Sequence, residues 1–428
     1  MDVTVTNSVV VNPASETPEH QLWVSSLDLF DQRHTVTAYI YRPKSITHSH
    51  SNVSVLQILR DALSKALVYF YPLAGRLIFD ATGRITVDCN GDGALFVEAV
   101  TDSQIDDLKD FGLPSQLEPL VPAVKYSNGV TTIIPLIVQV TRFKCGGISI
   151  GLSISHILTD GMSALHFVKT WCDIARGSDV HVPPVIDRSP LRGRNPPQVR
   201  FSHVEYEPSP SLVDREENGS KVAFRQFTLS KEQVNSLKEK AKDKLTQKPY
   251  TTFEALAAHV WKCSCSARNL SEKQRSKVYI PVDGRDRLVP PLPSAYFGNA
   301  RFLATPIDYS GNIVSKSVSY TADNIHEEIN RMNGEYLRST LDYLELNPGI
   351  SLPPATYRCP NMIITSWRLP LYDADFGWGK PIFMGHARTM KEGHCYILPS
   401  HTEDGSVTVS LALFTDHMTR FEKIFYQF

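Results

Sequence analysis

The chain has no excess of charge of either sign: 44 Lys+Arg stand against 45 Asp+Glu in 428 residues, a formal net charge of −1. Such a balance, with a pI near 6.9, lacks the basic footprint of a nucleic-acid binder, and no nucleic-acid partner is expected. There is no run of about 18 apolar residues, so no membrane-spanning helix is expected. The opening residues MDVTVTNSVVVNPASETPEH lack a basic stretch followed by an apolar core, so no secretory signal is expected. The seven cysteines (Cys89, Cys145, Cys172, Cys263, Cys265, Cys359 and Cys395) are odd in number and scattered, which reads as free thiols in a reducing, cytoplasmic setting. Cys263-x-Cys265 has no second ligand pair nearby and sits in a helical pattern, so core packing is expected there rather than a metal. No internal repeat of fixed period is present.

What the chain does have is an ordered globular composition, 42% hydrophobic and 21% charged, with length for two or three domains. Leu56, Leu59, Leu63 and Leu67 predict a helix from Ser54 to about Val68, which Pro72 and Gly75 stop. A β-rich stretch runs from Thr131 through Ser155, and its last eight residues, Ile148 to Ser155, alternate strictly, which predicts a strand with one buried face. A helix from Ser163 to about Ala175 follows, with Leu165, Val168, Cys172 and Ala175 on one face. Prolines 183, 184, 190, 196, 197, 208 and 210 then resist helix and sheet alike, and this stretch reads as an extended crossover between two α/β halves. Helices resume at two capping boxes, Ser230-x-x-Gln233 and Thr251-x-x-Glu254. Strands are predicted at 278–282, 302–306 and 407–413, and a helix at 417–426.

Chemistry concentrates in two places. Gly147-x-Ser149-x-Gly151 matches the serine-hydrolase motif in letters, but the strand continues past Ser149 where a nucleophile needs a sharp turn, so Ser149 reads as an ordinary strand residue. At the strand's end stands His156-Ile157-Leu158-Thr159-Asp160-Gly161. A histidine at a strand end, before a short turn that Gly161 allows to bend, suits a general base. The second place is Asp373-Ala374-Asp375-Phe376-Gly377-Trp378-Gly379, an acidic and aromatic turn whose glycines point to unusual backbone angles.

The two segments, in this order and about 215 residues apart, closely resemble the HxxxDG and DFGWG motifs of the BAHD family of plant acyl-CoA-dependent acyltransferases. The stretches Tyr71 to Arg76, Tyr296 to Asn299, Tyr336 to Ser339, Leu341 to Leu346 and Arg358 to Asn361 resemble its hydroxycinnamoyltransferase branch, which includes shikimate/quinate hydroxycinnamoyltransferases and rosmarinate synthase-like members. The resemblance implies an α/β fold of two chloramphenicol-acetyltransferase-like domains with a channel between them. The proline-rich crossover would join residues 1–181, carrying HxxxDG, through 182–220 to 221–428, carrying DFGWG. It implies His156 as the base that deprotonates an acceptor, which attacks the thioester directly, without an acyl-enzyme. Thr365 and Trp367, in Thr365-Ser366-Trp367, match residues implicated in stabilising the oxyanion. Asp160, Gly161, Asp375, Gly377 and Gly379 take structural roles, the aspartates pairing with arginines such as Arg285 or Arg287. Acyl-CoA is then a substrate and no resident cofactor or metal is expected, in a chain acting as a monomer.

The acceptor end carries a departure. The run His34-Thr35-Val36-Thr37-Ala38-Tyr39 matches the family's acceptor-lining segment, so His34, Thr35, Thr37 and Tyr39 are expected at the acceptor. Shikimate-using members hold a carboxylate with an arginine between the LEL and RCPN segments. The corresponding 347–357 stretch here has none. The basic loop 385–394, with His386 and Arg388, is the expected substitute. The resulting expectation is a hydroxycinnamoyl-CoA-dependent O-acyltransferase for a small hydroxylated acid, such as hydroxyphenyllactate, shikimate or quinate. The alternative is N-acylation of an aromatic amine or polyamine.

Overall fold

A computed structural model describes residues 1–42, 54–108, 114–123, 133–212, 221–242, 249–350, 352, 354–366, 370–387, 390–399 and 404–428. These form two compact units. The first comprises Met1–Arg192, Leu292–Ala300 and Leu369–Thr389, and the second Gly193–Pro291, Arg301–Arg368 and Met390–Phe428. The expected contiguous division, with DFGWG in a C-terminal domain from residue 221, is therefore corrected: that motif belongs to the first unit. The physical reason is a strand, Phe383–His386, whose backbone is needed to extend the first unit's sheet.

In the first unit the main sheet has six strands. They are β1 (Thr4–Val11), β3 (His34–Tyr41), β6 (Ala94–Thr101), β7 (Leu136–Phe143), β8 (Ile148–Ser155) and β14 (Phe383–His386), in the order β1-β6-β7-β8-β3-β14. A small sheet, β2 (His20–Leu22), β4 (Arg76–Phe79) and β5 (Ile85–Cys89), accompanies it in the order β2-β5-β4. Helix α1 (Val55–Tyr69) starts at Ser54, whose side chain accepts the Gln57 N–H, and it buries Leu59, Leu63 and Leu67 as the periodicity predicts. Helix α2 (Gly161–Ala175) buries a face centred on Phe167, Trp171 and Cys172, whereas the predicted Leu165 and Ala175 are only half-buried.

Strand β8 departs from its expected pattern, since all eight of its residues are buried. The side carrying Ser149, Gly151, Ser153 and Ser155 is covered by chain. A Cβ on Gly151 would stand 2.0 Å from the Leu120 carbonyl oxygen, and Ser153 donates its hydroxyl to the Pro122 oxygen. Small side chains there admit a backbone where a sequence reading sees a solvent face. Ser149 is fully buried mid-strand, as an ordinary strand residue would be.

The second unit's sheet runs β11 (Arg301–Ala304), β10 (Arg275–Asp283), β13 (Met362–Ser366), β15 (His394–Pro399), β16 (Val407–Phe414), β9 (Val222–Leu229), with β12 (Ile307–Tyr309) also paired to β10. Both capping boxes form, opening α3 (Lys231–Ala241) and α4 (Thr252–Ala267). Cys263 and Cys265 lie buried in α4, and burial pushes their thiols up to about 12 and about 11. Within the predicted crossover, residues to Arg192 belong to the first unit and those from Gly193 to the second. From there Arg194 pairs with Asp342 at 2.6 Å on a helix, α5 (Gly334–Leu346), and the Arg200 N–H donates to Ser339 on the same helix. Residues 213–220 of the expected linker lie outside the described residues.

Candidate active site

The histidine singled out by the sequence stands one residue past β8. Its N–H donates to the Arg33 carbonyl at 2.9 Å, which extends the β3–β8 ladder and sets His156 beside the start of β3. The residue is half-buried, while its neighbours Ile154, Ile157 and Leu158 are buried. The turn that follows is pinned from below. The buried Arg188 guanidinium donates to the carbonyls of Ile157 and Leu158 at 3.2 and 3.1 Å and pairs with the buried Asp28 carboxylate at 2.7 Å.

Asn299 completes this arrangement. Its Oδ1 lies 3.1 Å from His156 Nδ1, and its Nδ2 donates to Asp28 Oδ1 at 2.9 Å and to the His156 carbonyl at 2.7 Å. Asp28 also accepts from the Asn299 N–H, the Ser25 N–H and the Ser25 hydroxyl, so its charge is surrounded by donors. Burial acts to lower the Arg188 pKa, and Asp28 with Tyr296 overcomes it, leaving Arg188 above the usual arginine value. An imidazole held at Nδ1 by an oxygen, at the rim of a buried strand, can take a proton at Nε2. Asn299 entered the sequence reading only as part of a family stretch, and Asp28 and Arg188 did not enter it. No spacing rule links residues 28, 156, 188 and 299; only the fold does.

The two motifs act on the backbone around this histidine. Asp160 is the N-cap of α2: one oxygen accepts the Ser163 N–H at 3.0 Å, and the other accepts the Ala300 N–H at 3.1 Å, next to Asn299. Ser163 closes the same joint, accepting the Gly298 N–H and donating to the Gly298 carbonyl. Gly161 is simply the first residue of α2 and is not among the glycines with positive φ, so the bend expected of it comes from the Asp160 cap. Asp375 accepts the N–H groups of Gly377 and Gly379 on a single oxygen, at 2.8 Å each, where those glycines adopt φ of +106° and +94°. The turn so formed lays Phe376 against Trp171 and sets Phe376 and Trp378 edge-on to Tyr41, while the Tyr41 hydroxyl donates to the Ala374 carbonyl. Arg176 donates to the Asp375 carbonyl. The expected pairing of Asp375 with Arg285 or Arg287 is corrected: its carboxylate serves its own turn, and Arg287 donates to the carbonyls of Ile329 and Met332.

The acceptor segment divides between two faces. Alternation puts Thr35, Thr37 and Tyr39 on one side of β3, half-buried except for the buried Tyr39, whose hydroxyl burial makes harder to ionise. His34 points to the opposite side, is 4% exposed and bonds the Ile134 carbonyl through Nε2 at 2.9 Å. His34 is thus not gathered with the other three. His386, in β14, holds the Val36 carbonyl through Nδ1. Glu392 in the expected basic loop is buried against Arg268 at 2.7 Å. Thr365 is half-buried near the C-terminal end of β13 in the second unit, paired with Tyr396 of β15. Trp367 and Arg388 lie outside the described residues.

With this geometry in hand, comparison with known proteins places the chain. The profile of the Transferase family matches residues 1–428, and the chain belongs to that family, the BAHD acyltransferases that its two motifs resemble. It is accordingly an acyltransferase. It is 47% identical to a shikimate O-hydroxycinnamoyltransferase of Nicotiana tabacum and 44% identical to a rosmarinate synthase of Plectranthus scutellarioides, over 100% of both chains in each case. A hydroxycinnamoyl-CoA:5-hydroxyanthranilate N-hydroxycinnamoyltransferase of Avena sativa is 41% identical over 99% of each chain. Among solved structures, vinorine synthase superposes with a TM-score of 0.76 at 26% identity, covering 98% of this chain and 96% of that one. TRI101 of F. graminearum, complexed with ethyl coenzyme A, shares the fold with a TM-score of 0.74 at 17% identity over 95% and 97%.

Proposed function

We propose that the chain moves a hydroxycinnamoyl group, of coumaroyl or caffeoyl type, from CoA to the hydroxyl of a small hydroxylated acid within a ternary complex. His156 Nε2 takes the acceptor's O–H proton while the oxygen forms its bond to the thioester carbon. The tetrahedral oxyanion collapses as the C–S bond breaks, and the proton held by His156 goes to the departing thiolate, so no cofactor is consumed. Thr365 and Trp367 are the proposed oxyanion donors. Thr35, Thr37 and Tyr39 on one face of β3 are the proposed acceptor contacts, with Arg388 as the partner of an acceptor carboxylate. The observation carrying the reading is the half-buried imidazole at the end of β8, bonded at Nδ1 to an oxygen. We take the site of action as cytoplasmic, which the odd number and scatter of the seven cysteines support, and the molecule as a monomer, to be checked by sedimentation.

The stretch 347–357 has no arginine, so shikimate is expected to be at least about tenfold poorer by kcat/KM than the best acceptor, the value of one lost bidentate carboxylate contact. The deciding experiment incubates p-coumaroyl-CoA with shikimate, quinate, hydroxyphenyllactate, malate, tyramine and spermidine, with products identified by mass. Shikimate as the best substrate overturns the acceptor assignment and leaves the transfer chemistry standing. Transfer to an amine alone replaces the O-acyl reading by the N-acyl one, which the full-length similarity to the Avena sativa N-hydroxycinnamoyltransferase supports.

A further inference from the structure

The amide of Asn299 has two ends of nearly equal shape, and its surroundings decide which end meets the histidine. On the Nδ2 side lie Asp28 Oδ1 and the carbonyls of His156 and Ile157, all of them acceptors. Reversing the amide would press its oxygen onto a carboxylate and two carbonyls, each rich in lone pairs. The Asn299 oxygen therefore faces His156, and His156 Nδ1 must carry hydrogen to meet it at 3.1 Å. In the neutral ring that leaves the lone pair on Nε2. Arg188 maintains the condition on which this depends. Its guanidinium lies 2.7 Å from Asp28 Oδ2, with both side chains at most 1% exposed, and with the donors from Ser25 and Asn299 it leaves both Asp28 oxygens facing donors.

We propose that Asp28, backed by Arg188 and acting through Asn299, fixes the tautomer of the catalytic imidazole, so that these three are positioning residues rather than catalytic ones. The relay rests on the reading of His156 as the base. It differs from a carboxylate bonded directly to the ring in one respect: the charge is one amide removed, so orientation is imposed without an anion against Nδ1.

The test has a readout independent of turnover. In protein labelled with ¹⁵N-histidine, with the His156 signals identified by their loss in His156→Gln, the wild type at a pH where the ring is neutral should show a protonated Nδ1 and an unprotonated Nε2. In Asn299→Leu, of similar size and without polar atoms, the Nε2–H form should gain population. Its kcat should fall about tenfold to a hundredfold, as when an orienting partner of a functional histidine is lost, with KM for the acyl-CoA within about twofold. The double change Asp28→Asn with Arg188→Met removes both charges together, leaving neither buried alone, and should shift the tautomer in the same direction. A wild-type His156 found with Nε2–H overturns the proposal even if every variant misfolds, as does an unchanged tautomer in a folded Asn299→Leu. If His156→Ala stays active while the tautomer shifts as described, the relay stands and the base assignment falls.

Discussion

Each unit of this protein sets a histidine in a polar network, and these two, His156 and His203, are built to opposite ends. His203, in the second unit, is 3% exposed and bonded at both ring nitrogens: Nδ1 to Glu205 at 3.0 Å and Nε2 to Ser339 at 3.0 Å. The Tyr336 hydroxyl donates to the other Glu205 oxygen, so ring, carboxylate and phenol form a closed set in the core. Burial, with Glu205 beside it, pushes the Tyr336 hydroxyl far above its usual value, which keeps it a donor. His156 is half-buried and receives a neutral amide oxygen at Nδ1, with its carboxylate held off behind Asn299. A histidine locked on both sides and shielded from solvent holds structure together. One that meets a neutral amide at Nδ1 and stays half-buried at the end of a buried strand is placed to exchange protons.

The strongest way to break this contrast is to delete both rings. His156→Ala should lose about 10²–10⁴ in kcat with its melting temperature unchanged, and retention of more than a tenth of the activity would remove the base assignment. His203→Ala should do the reverse, costing about 3 kcal/mol or more in urea unfolding because it opens a cavity and strips a buried carboxylate of its partner. Its kcat per folded molecule should stay within about twofold. A stable but dead His203→Ala would show that the second network also reaches the chemistry.

Next in size are the two aspartates of the motifs. Asp375→Ala removes the acceptor of two turn N–H groups and should cost about 1–3 kcal/mol, visible as a lowered melting temperature along with lowered activity. Gly377→Ala should cost a similar amount through its φ of +106° alone. A fully folded, inactive Asp375→Ala would contradict the structural role. Glu205→Gln, which keeps the shape of the second network and deletes its charge, should cost only about 1 kcal/mol. The smallest effect compares buried thiols. Burial raises Cys89 in the first unit and Cys263 in the second to about 12 each, so both stay protonated, and hence unreactive, at pH 8. Native alkylation at that pH should mark the half-buried Cys145 and Cys359 first. Faster loss of Cys89 than of Cys263 would show that the first unit opens on its own.

Much of this was legible along the chain, and what was not has a common cause. The helices opened by Ser54, Ser230 and Thr251, the strand ending before His156 and the seats of Asp160 and Asp375 in their turns all follow from neighbours a few residues apart. Capping, alternation and turn chemistry are local, and local physics can be read in one dimension. Asn299, Asp28 and Arg188 meet His156 across up to 271 residues, counting Asp28 to Asn299, and nothing near any of them advertises it. The face division of His34 from Thr35, Thr37 and Tyr39 was readable from alternation, but a motif resemblance treats the run as one string. Burial of both faces of β8 was hidden because its second cover, at Leu120 and Pro122, arrives from a separate stretch.

That β14 pairs with β3 has a consequence for how this protein is made. On a ribosome the edge of β3 is finished at Tyr41, and its partner begins at Phe383, 383 − 41 = 342 residues later. At about 5–20 residues per second, the edge waits roughly 17–70 s with its N–H and C=O groups unpaired. His156 waits as well, since Asn299 emerges 143 residues after it. The N-terminal unit is thus begun first and completed almost last. Fragments ending near residue 212 are therefore expected to aggregate during synthesis, however well the N-terminal sequence folds on paper, and adding residues 369–389 in trans should recover soluble material.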